Sequence, residues 1–335
     1  MKKLPYLLAL LFLYNCQKKD SDAPISQITI EVQKKIGQFN DSTFVDQTLD
    51  IHYHSGSLFL TEIKNARILQ VDEEYNLKTI FGGKGDGPAE LSYPEAAQVY
   101  NNQLLILDNG HQKIKAFNLD GSISHQFGRD IPDNSGFFIQ NDQLFGSRYT
   151  KPELPIFAYN LTNNDSTQYF GSQNRKLTVI NYDRPRVFHL FPFKNDIVAV
   201  SKNEPVIERF DLEGNKTEEL YYPEYFEAYI LNAKEREKTL ANMRPTFSFV
   251  SDATLLGNEL YILTVGFDES KAVTTSNHIF NFSIEDSKIT LSRIIELQNG
   301  GEDIWYLSFE VFEHKIVAFE SRSYELHEFN LPKVK

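Results

Sequence analysis

Few residues in this chain have the types and spacing that chemistry needs. His52 and His54 stand two apart in a β-type stretch, which puts both imidazoles on one face of a strand. Two imidazoles could begin a metal site, but no spacing fixes a third ligand. The other histidines, His111, His125, His189, His278, His314 and His327, are scattered. The glycine-rich stretch Gly82 to Gly87 invites a phosphate-cradle reading. It lacks a Gly-Lys-Ser/Thr ending and leads into a strand, so no helix N-terminus awaits an anion, and it reads as a structural turn. There is no Gly-x-Ser-x-Gly elbow, no His-Glu-x-x-His and no cysteine nucleophile. Acidic residues are many, but context singles out no pair. No catalytic residue, metal or cofactor is therefore expected.

The elements that must carry any site are clearest between Phe81 and Gly128. Ala96 to Tyr100, Leu104 to Leu107 and Ile114 to Leu119 are apolar β-type runs, and Asp120-Gly121 turns the chain into a fourth, Ser122 to Phe127. Asp-Gly after alternating hydrophobics signals a hairpin, because its turn needs φ > 0. One stretch thus spells a four-stranded antiparallel meander. Such a sheet cannot bury both faces alone.

Relatives of its second run recur along the chain. They are Leu58-Phe59-Leu60, Leu104-Leu105-Ile106, Gln143-Leu144-Phe145, Ile197-Val198-Ala199, Leu260-Tyr261-Ile262 and Ile316-Val317-Ala318. Each follows a polar turn. A long period with four strands per unit means an all-β fold, a six-bladed β-propeller with four-stranded antiparallel blades. The last copy stops at Leu331, and Ile28 to Val32 is a spare strand at the other end. It is expected to pair beside Leu326 to Asn330 and close the ring, which removes the last open edge. Pro94, Pro185 and Pro245 mark blade starts, where a missing N–H is tolerated. One helical insertion is expected over 223–242, with Phe226, Tyr229, Ile230, Ala233 and Leu240 at helical spacing.

In a propeller, the loop between blades and the loop after each second strand share one face. That arrangement nominates Arg67, Lys84, Asp86, Asp108, His111 and Arg148 as a binding rim, with Arg186, Arg244, Asp303, Trp305 and Arg322 on the same side. Concave mouths with a few convergent polar groups and aromatics are default binding sites.

The formal net charge is −12, with both signs scattered and no basic block, so no nucleic-acid partner is expected. Residues 1–16 have Lys2 and Lys3 ahead of an apolar core, Leu4 to Tyr14, that is too short to span a bilayer. The stretch ends at Leu13-Tyr14-Asn15-Cys16 and resembles a bacterial lipoprotein signal. That resemblance implies lipid on Cys16, attachment to a membrane and, with no Asp after the cysteine, an outer-membrane location facing periplasm or surface. Residues 17–27 read as a tether and 28–335 as the propeller. Cys16 is the only cysteine, so no disulfide supports the fold.

The loop Gly83-Lys84-Gly85-Asp86-Gly87-Pro88-Ala89-Glu90-Leu91, set in these repeats, resembles six-bladed propeller lipoproteins of Bacteroidetes, which are similar to NHL-repeat and TolB-type propellers. The resemblance implies an envelope lipoprotein without naming a reaction. Two functions stay open. One is a non-catalytic binding or scaffold module for a glycan, peptide or partner protein. The alternative is a metal-dependent, lactonase-like hydrolase or lyase at the central channel. There the blade-start positions supply Glu95, Arg186, Arg244, Thr246 and Asp303, with His52 or His54 from the first blade. Two arginines in that set oppose a cation, which favours the binding module.

Overall fold

The computed structural model describes residues 25–127, 134–148, 154–161, 167–172, 186–239, 248–268, 273–286 and 288–332. Cys16, where lipid is expected, the expected tether up to residue 24, Pro185, Arg244, Pro245 and Thr246 lie outside them.

The chain is an all-β propeller with one helix. It begins with β1 (Ser26–Ile36) and a short hairpin of β2 (Gln38–Asn40) and β3 (Thr43–Phe44). The first meander is β4 (Thr48–His54), β5 (Ser57–Glu62), β6 (Arg67–Asp72) and β7 (Leu77–Gly82). The second is β8 (Pro94–Tyr100), β9 (Gln103–Asp108), β10 (Lys113–Asn118) and β11 (Ile123–Phe127). The third is β12 (Asn134–Gln140), β13 (Gln143–Arg148), β14 (Ile156–Asn160) and β15 (Thr167–Phe170). The fourth is β16 (Phe188–Phe193), β17 (Asp196–Ser201), β18 (Val206–Asp211) and β19 (Lys216–Tyr221). Each of these four stands as a separate four-stranded sheet.

The remaining strands do not separate. They are β20 (Val250–Leu256), β21 (Glu259–Asp268), β22 (Val273–Ile284), β23 (Ile289–Gln298), β24 (Tyr306–Phe312), β25 (Lys315–Glu320) and β26 (Glu325–Asn330). With β1 they form one eight-stranded sheet in the order β20-β21-β22-β23-β1-β26-β25-β24. Four blades are thus distinct, where six separate ones were expected. The cause is β1. Ser26 to Glu31 runs parallel to β23, and from Val32 to Ile36 the strand pairs antiparallel with β26 across a register shift. The spare strand therefore meets Phe329 at Val32, while Ile28 lies against Ile295 of the other partner.

All six apolar triplets found in the sequence occupy second strands, in β5, β9, β13, β17, β21 and β25. The first strands pack in a closed ring: β4 on β8, β8 on β12, β12 on β16, β16 on β20, β20 on β24, and β24 back on β4. Between successive meanders sit apolar clusters. Phe59, Ile68 and Phe81 meet Ile106 and Phe117 in one, while Leu105, Ile114 and Ala116 meet Phe137 and Phe157 in the next. Burying a Phe or Leu side chain contributes about 1.5–3 kcal/mol, so these interfaces hold the ring without a disulfide.

Local chemistry explains the turns. Gly121 has φ +93°, donates its N–H to Asn118 O at 2.9 Å, and follows Asp120, whose carboxylate accepts the Ser122 N–H at 2.9 Å. The glycine-rich loop spends its own N–H groups: Gly83 donates to Ala66 O, Gly85 to Leu91 O and Gly87 to Glu90 Oε2 at 2.7 Å. A Cβ on Gly85 would collide with the Glu90 carboxylate. The loop is a turn and cradles no phosphate. Ala89 in the same loop has no positive φ.

The insertion is a 3-10 turn, Pro223–Phe226, followed by α1 (Glu227–Thr239). Phe226 and Tyr229 are buried against Phe249, each with ring centroids 5.3 Å away, edge to face. The helix packs on β21, and Phe226 and Tyr229 join an apolar cluster between the fourth meander and β20–β23. Among the described residues, no helix is long and apolar enough to cross a membrane.

Candidate binding site at the channel mouth

The ring of first strands surrounds a channel of about 420 Å³. Five of the six strands carry a register shift near their start: Thr48/Asp50, Pro94/Ala96, Asn134/Phe137, Val250/Asp252 and Tyr306/Ser308. A bulge leaves an extra residue unpaired and re-aims its side chain. The extra residues include Leu49, Glu95, Ser251 and Leu307, all of which line the channel. Glu95 reaches the mouth because of its bulge, and its Oε2 accepts the Asn109 amide at 2.8 Å.

Three further carboxylates bind one strand to the next. Asp50 on β4 accepts the Ala97 N–H of β8 at 3.0 Å. Asp252 on β20 accepts the Phe309 N–H of β24 at 2.9 Å. Glu310 on β24 accepts the Tyr53 N–H of β4 at 3.2 Å, and also the Thr254 hydroxyl at 2.6 Å. A first strand has no ladder partner on its inner edge, so its N–H groups need acceptors from elsewhere. These side chains supply them and bring charge into the channel wall.

That charge is costly to hold. Burial carries Asp50 up to about 7, with Glu95 adding repulsion and the Ala97 N–H and Lys202 opposing. Burial also carries Glu310 up to about 7 and raises Asp252 well above the carboxylate range. Lys202, half-buried just after β17, is pulled down by burial while Glu95, Asp252 and Asp50 hold it up. His52 is pushed down to about 4 by burial and by His54. His189 is lowered by burial and by Lys202; its Nδ1 lies 3.7 Å from Asp252 Oδ1, and its buried Nε2 has no hydrogen-bond partner. Both imidazoles are therefore neutral at pH 7.

The rim residues nominated from the sequence do not converge on one mouth. Asp108 is fully buried and accepts the Ser92 and Tyr93 N–H groups, with His111 Nδ1 at 2.5 Å. His111 Nε2 lies 3.4 Å from exposed Asp86, and Lys84 is exposed nearby on the same loop. Arg67 is tied to Glu62 at 2.6 Å. Arg148 is buried, donates to Leu154 O and stacks over Tyr169 at 3.9 Å. Arg186 is buried between Glu204 (3.1 Å) and Glu208 (3.4 Å) inside the fourth sheet. Its charge is compensated there, so the argument that it faces a channel cation is corrected. Asp303, Trp305 and Arg322 do come together: Arg322 Nη1 donates to Asp303 O at 3.0 Å, and the Trp305 N–H is held by Glu320. Asp303 and Arg322 line a second cleft outside the channel, while Trp305 packs against the apolar cluster beside it. Sequence reasoning had placed Glu95 and His52 at the channel, but it missed Asp50, Lys202, Asp252 and Glu310. A lone acid inside an apolar run was the signal of the three carboxylates.

No protein-family model matches the chain, and no curated protein matches it. Solved structures do. A putative exported protein of Bacteroides fragilis is 12% identical, with a TM-score of 0.55 over 88% of each chain. A member of the DUF4221 family from Bacteroides vulgatus is 11% identical, with a TM-score of 0.55 over 90% of this chain and 97% of that one. A catalytically inactive virginiamycin B lyase from Staphylococcus aureus, solved with quinupristin, is 11% identical, with a TM-score of 0.51 over 89% and 99%. At such identities the likeness establishes the propeller fold alone.

Proposed function

We propose that this chain is an outer-membrane lipoprotein, anchored through lipid on Cys16, whose propeller binds a small cation-bearing ligand at its channel mouth without catalysing a reaction. The eight-stranded sheet counts as two blades sharing β1, which makes six. The closed ring of six first strands supports that count. Export is supported by the signal-like first sixteen residues and by the likeness to a putative exported protein of Bacteroides fragilis.

The observation that carries the binding reading is the charge balance of the channel wall. Asp50, Glu95, Asp252 and Glu310 line the channel together with Lys202. Buried carboxyls with raised pKa hold protons near neutrality. An incoming ammonium or guanidinium displaces those protons and gains charge-assisted hydrogen bonds in a low-dielectric site. A lysine or arginine side chain of a peptide is the ligand this wall suits.

Calorimetry with capped arginine and lysine tripeptides, against neutral and acidic counterparts, tests it. Basic peptides should bind more tightly at pH 8 than at pH 6. Glu95→Gln should weaken them, and Lys202→Met, which removes a competing cation, should tighten them. Equal binding of acidic peptides, or a loss on Lys202→Met, refutes the reading.

The second reading, a hydrolase or lyase, is favoured by one observation. His189 is neutral, sits beside Asp252 and lines the channel, as a general base would. Among the described residues, no three His, Cys, Asp or Glu side chains form a metal-ligand group. Turnover of lactone substrates that His189→Gln abolishes would establish this reading over the first.

A further inference from the structure

A second cavity, of about 530 Å³, lies outside the channel, among β21–β23, the 3-10 turn and the 299–305 loop. These three strands run 10, 12 and 10 residues, longer than their counterparts in the four separate sheets, and their extensions build the wall. The floor is aromatic: Tyr225 meets Phe280 edge to face at 5.5 Å, and Phe226 lies 5.6 Å from Phe280.

The charges around the cavity are largely engaged within the wall. Glu296 accepts the Thr29 hydroxyl at 3.2 Å and the Gln298 amide at 3.0 Å. Arg322 donates to the Asp303 carbonyl. One polar group is left unanswered. Asn277 donates its Nδ2 to Leu297 O at 3.3 Å, but its Oδ1 is buried without a partner. A buried acceptor without a donor costs about 1–3 kcal/mol, which a ligand hydroxyl would recover.

We infer that this cleft is a binding site for a neutral oligosaccharide. The half-exposed rings of Tyr225 and Phe267, packed on buried Phe226 and Phe280, offer apolar faces to the C–H side of a sugar ring. Asn277 Oδ1 accepts a sugar hydroxyl, and the carboxylates Glu296, Glu302 and Asp303 of the lining disfavour an anionic ligand. The volume lies in the range of small-molecule sites, enough for a short saccharide. The site is separate from the channel and independent of the proposal made for it.

The protein carries its own reporter. Trp305 is the only tryptophan, and its backbone bridges to Ser276, next to Asn277. The full chain is titrated with hexaoses of glucose, mannose and xylose, and with hexagalacturonate as the acidic control, by Trp305 emission and calorimetry. At least one neutral hexaose should bind saturably and more tightly than hexagalacturonate. Asn277→Leu should weaken it by about tenfold or more with a melting temperature no lower than the parent's. Should that variant unfold, Tyr225→Ala takes its place. Glu95→Gln, in the channel, should leave saccharide binding unchanged. The inference is overturned if no neutral hexaose binds, if binding survives the cleft variant, or if hexagalacturonate binds as well.

Discussion

Replacing Asp50 by Asn should make the protein more stable at pH 8, and by a smaller margin at pH 5. The amide oxygen can still accept the Ala97 N–H that Asp50 accepts at 3.0 Å. What the variant removes is the burial of a charge. Asp50 moves from an ordinary 3.8 to about 7 on folding. A group with a raised pKa contributes stability below its unfolded value and loses it as pH rises through the folded one. Each pH unit corresponds to about 1.4 kcal/mol, so the ceiling is about 4 kcal/mol. Asp50 is only half-buried and keeps Lys202 nearby, and screening brings the expectation to about 1–3 kcal/mol. Urea unfolding followed by Trp305 emission at pH 5, 6, 7 and 8 measures it. The difference between variant and parent should open across that range. A constant difference, or one that favours the parent at pH 8, would show that Asp50 is ionised at little cost and that the channel charge argument is wrong.

Other outcomes follow from contacts already described. Arg186→Met leaves Glu204 and Glu208 buried without their guanidinium and should cost about 3–5 kcal/mol in denaturant unfolding; a loss below about 1 kcal/mol would mean that the pair takes protons instead. Gly85→Ala and Glu90→Ala should each cost about 1 kcal/mol, because both break the bond from Gly87 N–H to the Glu90 carboxylate. The double variant should cost no more than either one, and additive losses would separate the two residues. Cys16→Ser should move the protein from the membrane to the soluble fraction, since a lipid chain contributes about 0.8 kcal/mol per buried CH₂. Unchanged membrane attachment would remove the lipid from the proposal.

The repeats were legible because each second strand is an apolar triplet behind a polar turn, and burial on both faces enforces that pattern. The Asp120-Gly121 turn and the 223–239 insertion were legible for local reasons, a positive φ and a helical stripe. The site was not legible in the same way. Asp108, Arg148 and Arg186 sit where loops should display polar side chains, yet each folds inward to satisfy backbone groups or buried carboxylates. Sequence position gives the loop but not the direction of the side chain. Asp50 and Glu310 show the opposite failure. They are embedded in Leu49-Asp50-Ile51 and Phe309-Glu310-Val311, so period-two reading takes them for interruptions of a core strand. The bulge that aims Glu95 at the mouth is a matter of register between strands, and no local pattern encodes it.

The double pairing of β1 also dictates an order of events. Val32 meets Phe329, and the two are about 300 residues apart along the chain. The N-terminal strand is therefore the first made and the last to find its place. Until residues 293–298 and 326–329 are available, β1 has no partners and the edges of β23 and β26 stand open. Closing so large a loop is slow, and open edges invite pairing with other chains. The ring cannot finish before the last strands have been made. A chain built like this stays open until its C-terminal strands exist and then closes, with its first strand as the latch.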